Sequence, residues 1–209
     1  RELALSLLHG DTRLSSNNWV LADSRTSTGS PLLANDLHLG VSMPSIWYLA
    51  EIDTPEYHAI GTTFPGTPGI IIGHNEDIAW GITTGGLDPQ DLYYERIRGL
   101  EVADGDTWVP LELREEIIEV RRGKAVTMQV RVGPRGPIMS EFHPGVQQEV
   151  SLRWISHDPD ERTMHAFLEI GRARDWAGFT AALADFGSPA HNFVYADRSG
   201  HIGWKVAGK

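Results

Sequence analysis

The run Ser15-Ser16-Asn17-Asn18 places two hydroxyls and two amides directly ahead of the apolar segment Trp19-Val20-Leu21-Ala22. A serine becomes a nucleophile when a base lies within hydrogen-bond reach and donors await the oxyanion. The Gly-x-Ser-x-Gly elbow is absent. A Ser/His/Asp triad stays open, because nine histidines are available and sequence spacing does not constrain one. Taken alone, however, serines before a strand read as turn formers that bond local backbone. Asp88 and Asp91, around Pro89 and Gln90, bring two carboxylates into one turn. Oxygen ligands of that kind suit calcium, although paired aspartates also serve simply as turn formers. No His-Glu-x-x-His pair occurs, and the glycines of "GTPGIIIGHNEDIAWG" lack the Lys-Ser/Thr that ends a phosphate loop. His38, between apolar residues, reads as a strand histidine, and His74 with Asn75 as the holders of a tight turn.

The elements that must position these groups follow from hydropathy patterning. "ELALSLL" has helical spacing and breaks at "HGDT". "NWVLADS" and "PLLANDLHLGVSM", joined by the turn-rich "RTSTGS", predict a hairpin. "SIWYLAEIDT" and "EYHAIGTTF" alternate as strands, and the two apolar runs flanking "HNED" predict a buried strand pair. Residues 93–139 change to short alternating segments, a small β-rich insertion with polar residues outward. "VSLRWI" returns as a core strand. "DERTMHAFLEIGRA" and "DWAGFTAALADF" have helical spacing, each with an aspartate ahead as a candidate N-cap. "HNFVYADRSGHIGW" reads as a hairpin. Strand groups and a helical pair without βαβ units predict an α+β fold with a mostly antiparallel sheet. "IGWKVAGK" ends without a capping signal, so the sequence reads as cut in mid-strand.

Composition narrows the function classes. The 209 residues carry a formal charge of −10 spread along the chain, with no basic stripe to neutralise phosphates. Nucleic acid is therefore excluded as the main partner. The absence of cysteine removes thiol catalysis, thiolate zinc sites and disulfides, and leaves the compartment open. No run approaches the ~20 apolar residues of a membrane helix, and "RELALSLLHGDTRL" has no signal-peptide core.

Four blocks, "SNNWVLA", "LLANDLHLG", "FPGTPGIIIGHNEDIAWGITTGGLDPQDLYYERI" and "SPAHNFVYADRSGHIGW", resemble in order and spacing the start of the β-chain of the penicillin acylase family. That family of N-terminal nucleophile hydrolases includes penicillin, cephalosporin and acyl-homoserine-lactone acylases. The resemblance implies part of an αββα sandwich, with residues 1–15 ending a propeptide and 16–209 beginning the β-chain. It implies self-cleavage between Ser15 and Ser16, after which the free amine of Ser16 serves as base for its own hydroxyl. An α-amine of pKa ~8 suits that role. His38 would position the serine and donate toward substrate, and the Thr84 N–H would supply half of the oxyanion hole. Leu39, Ile72 and Ile82 would line the acyl pocket, and Asp88, Gln90 and Asp91 would form part of a calcium loop. The implied substrate is a small N-acyl amide, either a β-lactam side chain or an acyl-homoserine lactone. The implied partners are the α-chain and the rest of the β-chain, in the periplasm or outside the cell.

Two departures carry consequences. Ser15 replaces the glycine usual before the nucleophile, which would slow cleavage. The second oxyanion donor falls beyond Lys209. With the Ser15–Ser16 bond intact, Ser16 has no free amine and the chain as written is expected to be inactive. Exposed apolar sheet faces would favour homodimers. The competing readings are a Ser/His/Asp esterase and a calcium-stabilised, non-catalytic β-rich binding module.

Overall fold

The computed structural model describes residues 15–142 and 146–209, so the helix expected over 2–8 lies outside the described residues. The first hairpin forms where the sequence predicts it. β1 (Ser15–Leu21) pairs antiparallel with β2 (Leu32–His38), with Ser15 opposite His38 and Asn18 opposite Asn35. Alternation turns Ser16, Asn18 and Val20 inward and leaves Ser15, Asn17, Trp19 and Leu21 exposed. β3 (Tyr48–Thr54), β4 (Tyr57–Thr63), β5 (Ile72–His74) and β6 (Ile78–Thr84) follow as an antiparallel meander. The "HNED" segment turns β5 into β6. There Asn75 Oδ1 accepts from the N–H groups of Asp77 and Ile78, both at 2.9 Å.

Residues 90–157 then form a separate compact unit. In it β7 (Gln90–Tyr94) pairs with β14 (Val150–Trp154). β8 (Ile97–Arg98), β9 (Glu101–Asp104) and β10 (Thr107–Pro110) make one small sheet. β11 (Glu112–Ile118), β12 (Val126–Gly133) and β13 (Gly136–Pro137) make another. Its apolar core is small, with Val102, Leu111 and Ile138 buried, and β11 is exposed along its whole length. A buried polar group adds to that core. The Glu95 side chain is 1% exposed and takes Arg135 Nη2 at 2.6 Å and Ser151 Oγ at 2.6 Å. Burial pushes the Glu95 carboxyl up, but the bonds from Arg135 and Ser151 outweigh it and hold the group below the usual range.

The first unit resumes at residue 158 with α1 (Thr163–Arg172), α2 (Trp176–Ala182), β15 (His191–Asp197) and β16 (Ile202–Ala207). Its six-stranded antiparallel sheet runs β16-β15-β6-β5-β4-β3. Phe167, Ile170 and Phe179 of the helices pack with Trp80, Ile82, Phe193 and Tyr195 of the sheet as the main core. The β1/β2 hairpin lies against β6 and β15. Asp175 caps α2 as expected, accepting from Gly178 N–H at 2.8 Å. α1 is different. Its N-cap is Arg162, which makes no side-chain cap bond, and Glu161 Oε1 accepts from Thr163 N–H at 2.8 Å. The carboxylate one residue after Asp160 thus takes the capping role. Asn75 also reaches past its own turn, where Nδ2 donates to Gly171 O at 2.9 Å and Ala173 O at 2.7 Å at the end of α1. β16 turns Ile202, Trp204 and Val206 to solvent.

Candidate active site

β5 is three residues long and β6 runs on beyond it. Beside the end of β6 is a cavity of about 270 Å³. Ser15, Ser16, Leu39, Ile82 and Thr84 border it, and Trp47, Phe64, Ile71, Phe167 and Met164 supply much of its apolar wall. Five residues expected from sequence are therefore gathered at one place from strands of two different sheets and the segment after β2. Ile72 is not among the lining residues. It packs against the core, and Ile71 takes the wall position.

The two serines differ in what they face. Ser16 lies on the inward face of β1 and is partly buried, whereas Ser15 is exposed. His38, directly opposite Ser15, bonds Ser15 Oγ through Nδ1 at 2.8 Å and Asp36 Oδ2 through Nε2 at 3.0 Å. The Asp36 carboxylate can only accept, so Nε2 carries the proton and Nδ1 accepts from the Ser15 hydroxyl. With the 15–16 peptide intact, His38 thus bonds the residue before Ser16 and not Ser16 itself.

The backbone of β6 supplies an oriented donor. Gly85 N–H donates to Ala190 O at 2.8 Å, and hydrogen-bonded pairs alternate along an antiparallel ladder. Thr83 opposite Asn192 continues that alternation, which turns the N–H groups of Ile82 and Thr84 away from β15. The Ile82 N–H is taken by Asn35 Oδ1 at 2.5 Å. The Thr84 N–H turns to the same side two residues further on, and Thr84 is one of the residues bordering the cavity. Asn192 Nδ2 holds the Thr84 carbonyl at 3.1 Å and receives support from Trp204 Nε1 on its Oδ1 at 3.2 Å.

Sequence spacing gave no signal for most of the wall, because Phe64, Phe167 and His191 reach it from distant elements. His191 is the least expected. Its Nδ1 lies 2.6 Å from Pro189 O, which fixes the proton on Nδ1, and its ring meets Phe186 and Phe193 edge-on. Burial holds its pKa below the usual histidine range against the opposing bond to Pro189, so the ring is neutral near pH 7.

Asp88 belongs to the first unit, and Gln90 and Asp91 belong to the second. Asp91 stands directly opposite Arg153 in the β7/β14 ladder. Among the described residues no group of three or more His, Cys, Asp or Glu side chains could hold a metal.

A family model described as penicillin amidase matches residues 2–209, and the chain belongs to the penicillin amidase family. The acyl-homoserine lactone acylase QuiP of Pseudomonas aeruginosa is 32% identical over 93% of this chain and 24% of its own length. The penicillin G acylase of Escherichia coli is 29% identical over 92% of this chain and 23% of its own length. A thermostable penicillin G acylase from Alcaligenes faecalis superposes with a TM-score of 0.77 at 25% identity, over 93% of this chain and 35% of that one. The chain thus spans about a quarter of the length of the curated relatives it matches.

Proposed function

We propose that this chain carries the nucleophile region of a self-processing acylase that hydrolyses a linear N-acyl amide through a serine ester on Ser16. The observation that carries the reading is that Ser16 and Thr84, on strands of different sheets, border one apolar cavity. In the first step Ser16 Oγ attacks the Ser15 carbonyl carbon and the Ser15–Ser16 C–N bond breaks, which leaves an ester on Oγ and frees the Ser16 amine; water then hydrolyses the ester to a Ser15 carboxylate and the Ser16 hydroxyl. That amine takes the Oγ proton as Oγ attacks the substrate carbonyl, and the Thr84 N–H stabilises the oxyanion. The proton passes to the departing amine, and water releases the acid. Cleavage at Ser16 also frees His38 from Ser15, leaving its Nδ1 available beside the new terminus. An apolar wall favours an apolar acyl group. Names of relatives cover both lactone and penicillin amides, and a histidine at 38 inclines the reading to acyl-homoserine lactones or cephalosporin-type amides. The αββα sandwich belongs to the same proposal, with the hairpin, the six-stranded sheet and the α1/α2 pair supplying three of its layers.

A second reading rests on the Ser15–His38–Asp36 chain of hydrogen bonds, which has the composition of a Ser/His/Asp esterase. Replacing each serine separates the two. In the full-length protein, Ser16→Ala is expected to abolish both the mature N-terminus at Ser16, read by mass spectrometry, and hydrolysis of N-acyl amides. Ser15→Ala is expected to leave an active mature enzyme. The reverse pattern would favour the esterase, and inactivity of the parent towards amides and esters alike would favour the binding module.

A further inference from the structure

The β1/β2 hairpin and β6 belong to separate sheets, and the side chain of Asn35 joins them. Its Nδ2 donates to Asn17 O at 3.2 Å, and its Oδ1 accepts from Ile82 N–H at 2.5 Å. Asn17 directly follows Ser16, and Ile82 lies two residues before Thr84. The amide therefore sits between the strand that carries the hydroxyl and the strand that carries the oxyanion donor. Its seat on β6 exists because residue 81 is glycine, since a Cβ there would stand 2.5 Å from Asn35 Oδ1. In register Asn35 faces Asn18, on the inward side of the hairpin, where an apolar side chain would bury more area. A polar group placed there, with both ends used, is a spacing device.

We infer that Asn35 is a positioning residue that fixes the distance between Ser16 Oγ and the Thr84 N–H. The inference rests on the acylase reading for the roles of those two groups, but the clamp itself stands on the hydrogen bonds. Losing it lets the hairpin shift on β6, and a misplacement of about 1 Å can cost about 100-fold in rate.

The test is Asn35→Ala in the full-length protein, with turnover of an N-acyl amide expressed per serine labelled by a sulfonyl fluoride. The expected result is a kcat lower by about 10- to 100-fold with KM within threefold of the parent. An unchanged kcat overturns the inference. So does a loss that disappears once labelled sites are counted, because that marks a folding defect alone. Amide hydrogen exchange keeps the test separate from the acylase reading. If the parent turns over no amide, that reading fails and the clamp is judged on the Ile82 amide. Exchange at least tenfold faster in Asn35→Ala upholds it, and equal exchange overturns it.

Discussion

Two neighbouring serines on one strand face opposite ways, and that alternation decides what each can do. Ser15 meets His38 on the exposed face, and Ser16 turns inward beside the cavity. Register enforces the separation, because a slip of one residue would exchange their faces. His191 brings a largely buried, neutral imidazole to the wall. Because its folded pKa is depressed, the neutral ring's contribution to stability is complete above the unfolded value of ~6.5 and is lost as pH falls from there toward the folded pKa. Between pH 7.5 and 5.5 the urea midpoint of the parent should therefore fall further than that of His191→Phe, which has no proton to take up. Equal falls in the two proteins would mean that His191 is not linked to folding.

At the scale of elements, short polar contacts join pieces whose hydrophobic pattern alone would leave their relative placement loose. Asn75 fastens the β5–β6 turn to the end of α1, and Asn35 fastens the hairpin to β6. α2 has only seven residues and starts on the Asp175 cap. Asp175→Ala should destabilise the first unit by about 1 kcal/mol, the usual cost of losing a capping carboxylate, read as a lower midpoint in chemical denaturation. No change would mean that water or a neighbour satisfies the Gly178 N–H. The expected helices were legible because their apolar residues recur at helical spacing. The α1 cap was not, since Asp160 and Glu161 are both acidic and only the chain path selects between them.

On the scale of the molecule, the two units are stabilised differently. The first has an aromatic core in which Trp80, Phe179, Phe193 and Tyr195 are fully buried. The second has no buried aromatic residue among those described; it buries Val102, Ala103, Leu111, Ile138 and Val150, and depends more on its ion pairs. Arg135→Ala would leave the Glu95 carboxylate buried without its cation, at a cost of about 3 kcal/mol. Denaturation should then show residues 90–157 unfolding at lower urea than the parent. A shift below about 0.5 kcal/mol would mean that the carboxyl is protonated or rehydrated in the variant. No helix among the described residues is long and apolar enough to cross a membrane.

Hydropathy and turn chemistry determined the strands, the hairpins and the two helices, because these depend on neighbours within a few residues. The blocks around Ser16, His38 and Thr84 also determined the family, because several separate motifs agree in order. Tertiary structure alone decided that Ile71 and not Ile72 reaches the cavity, that His38 bonds Ser15, and that Asn35 spans two sheets. Each of these depends on which face of a strand meets which partner. That is set by packing between residues far apart in the chain, so local sequence carries no record of it.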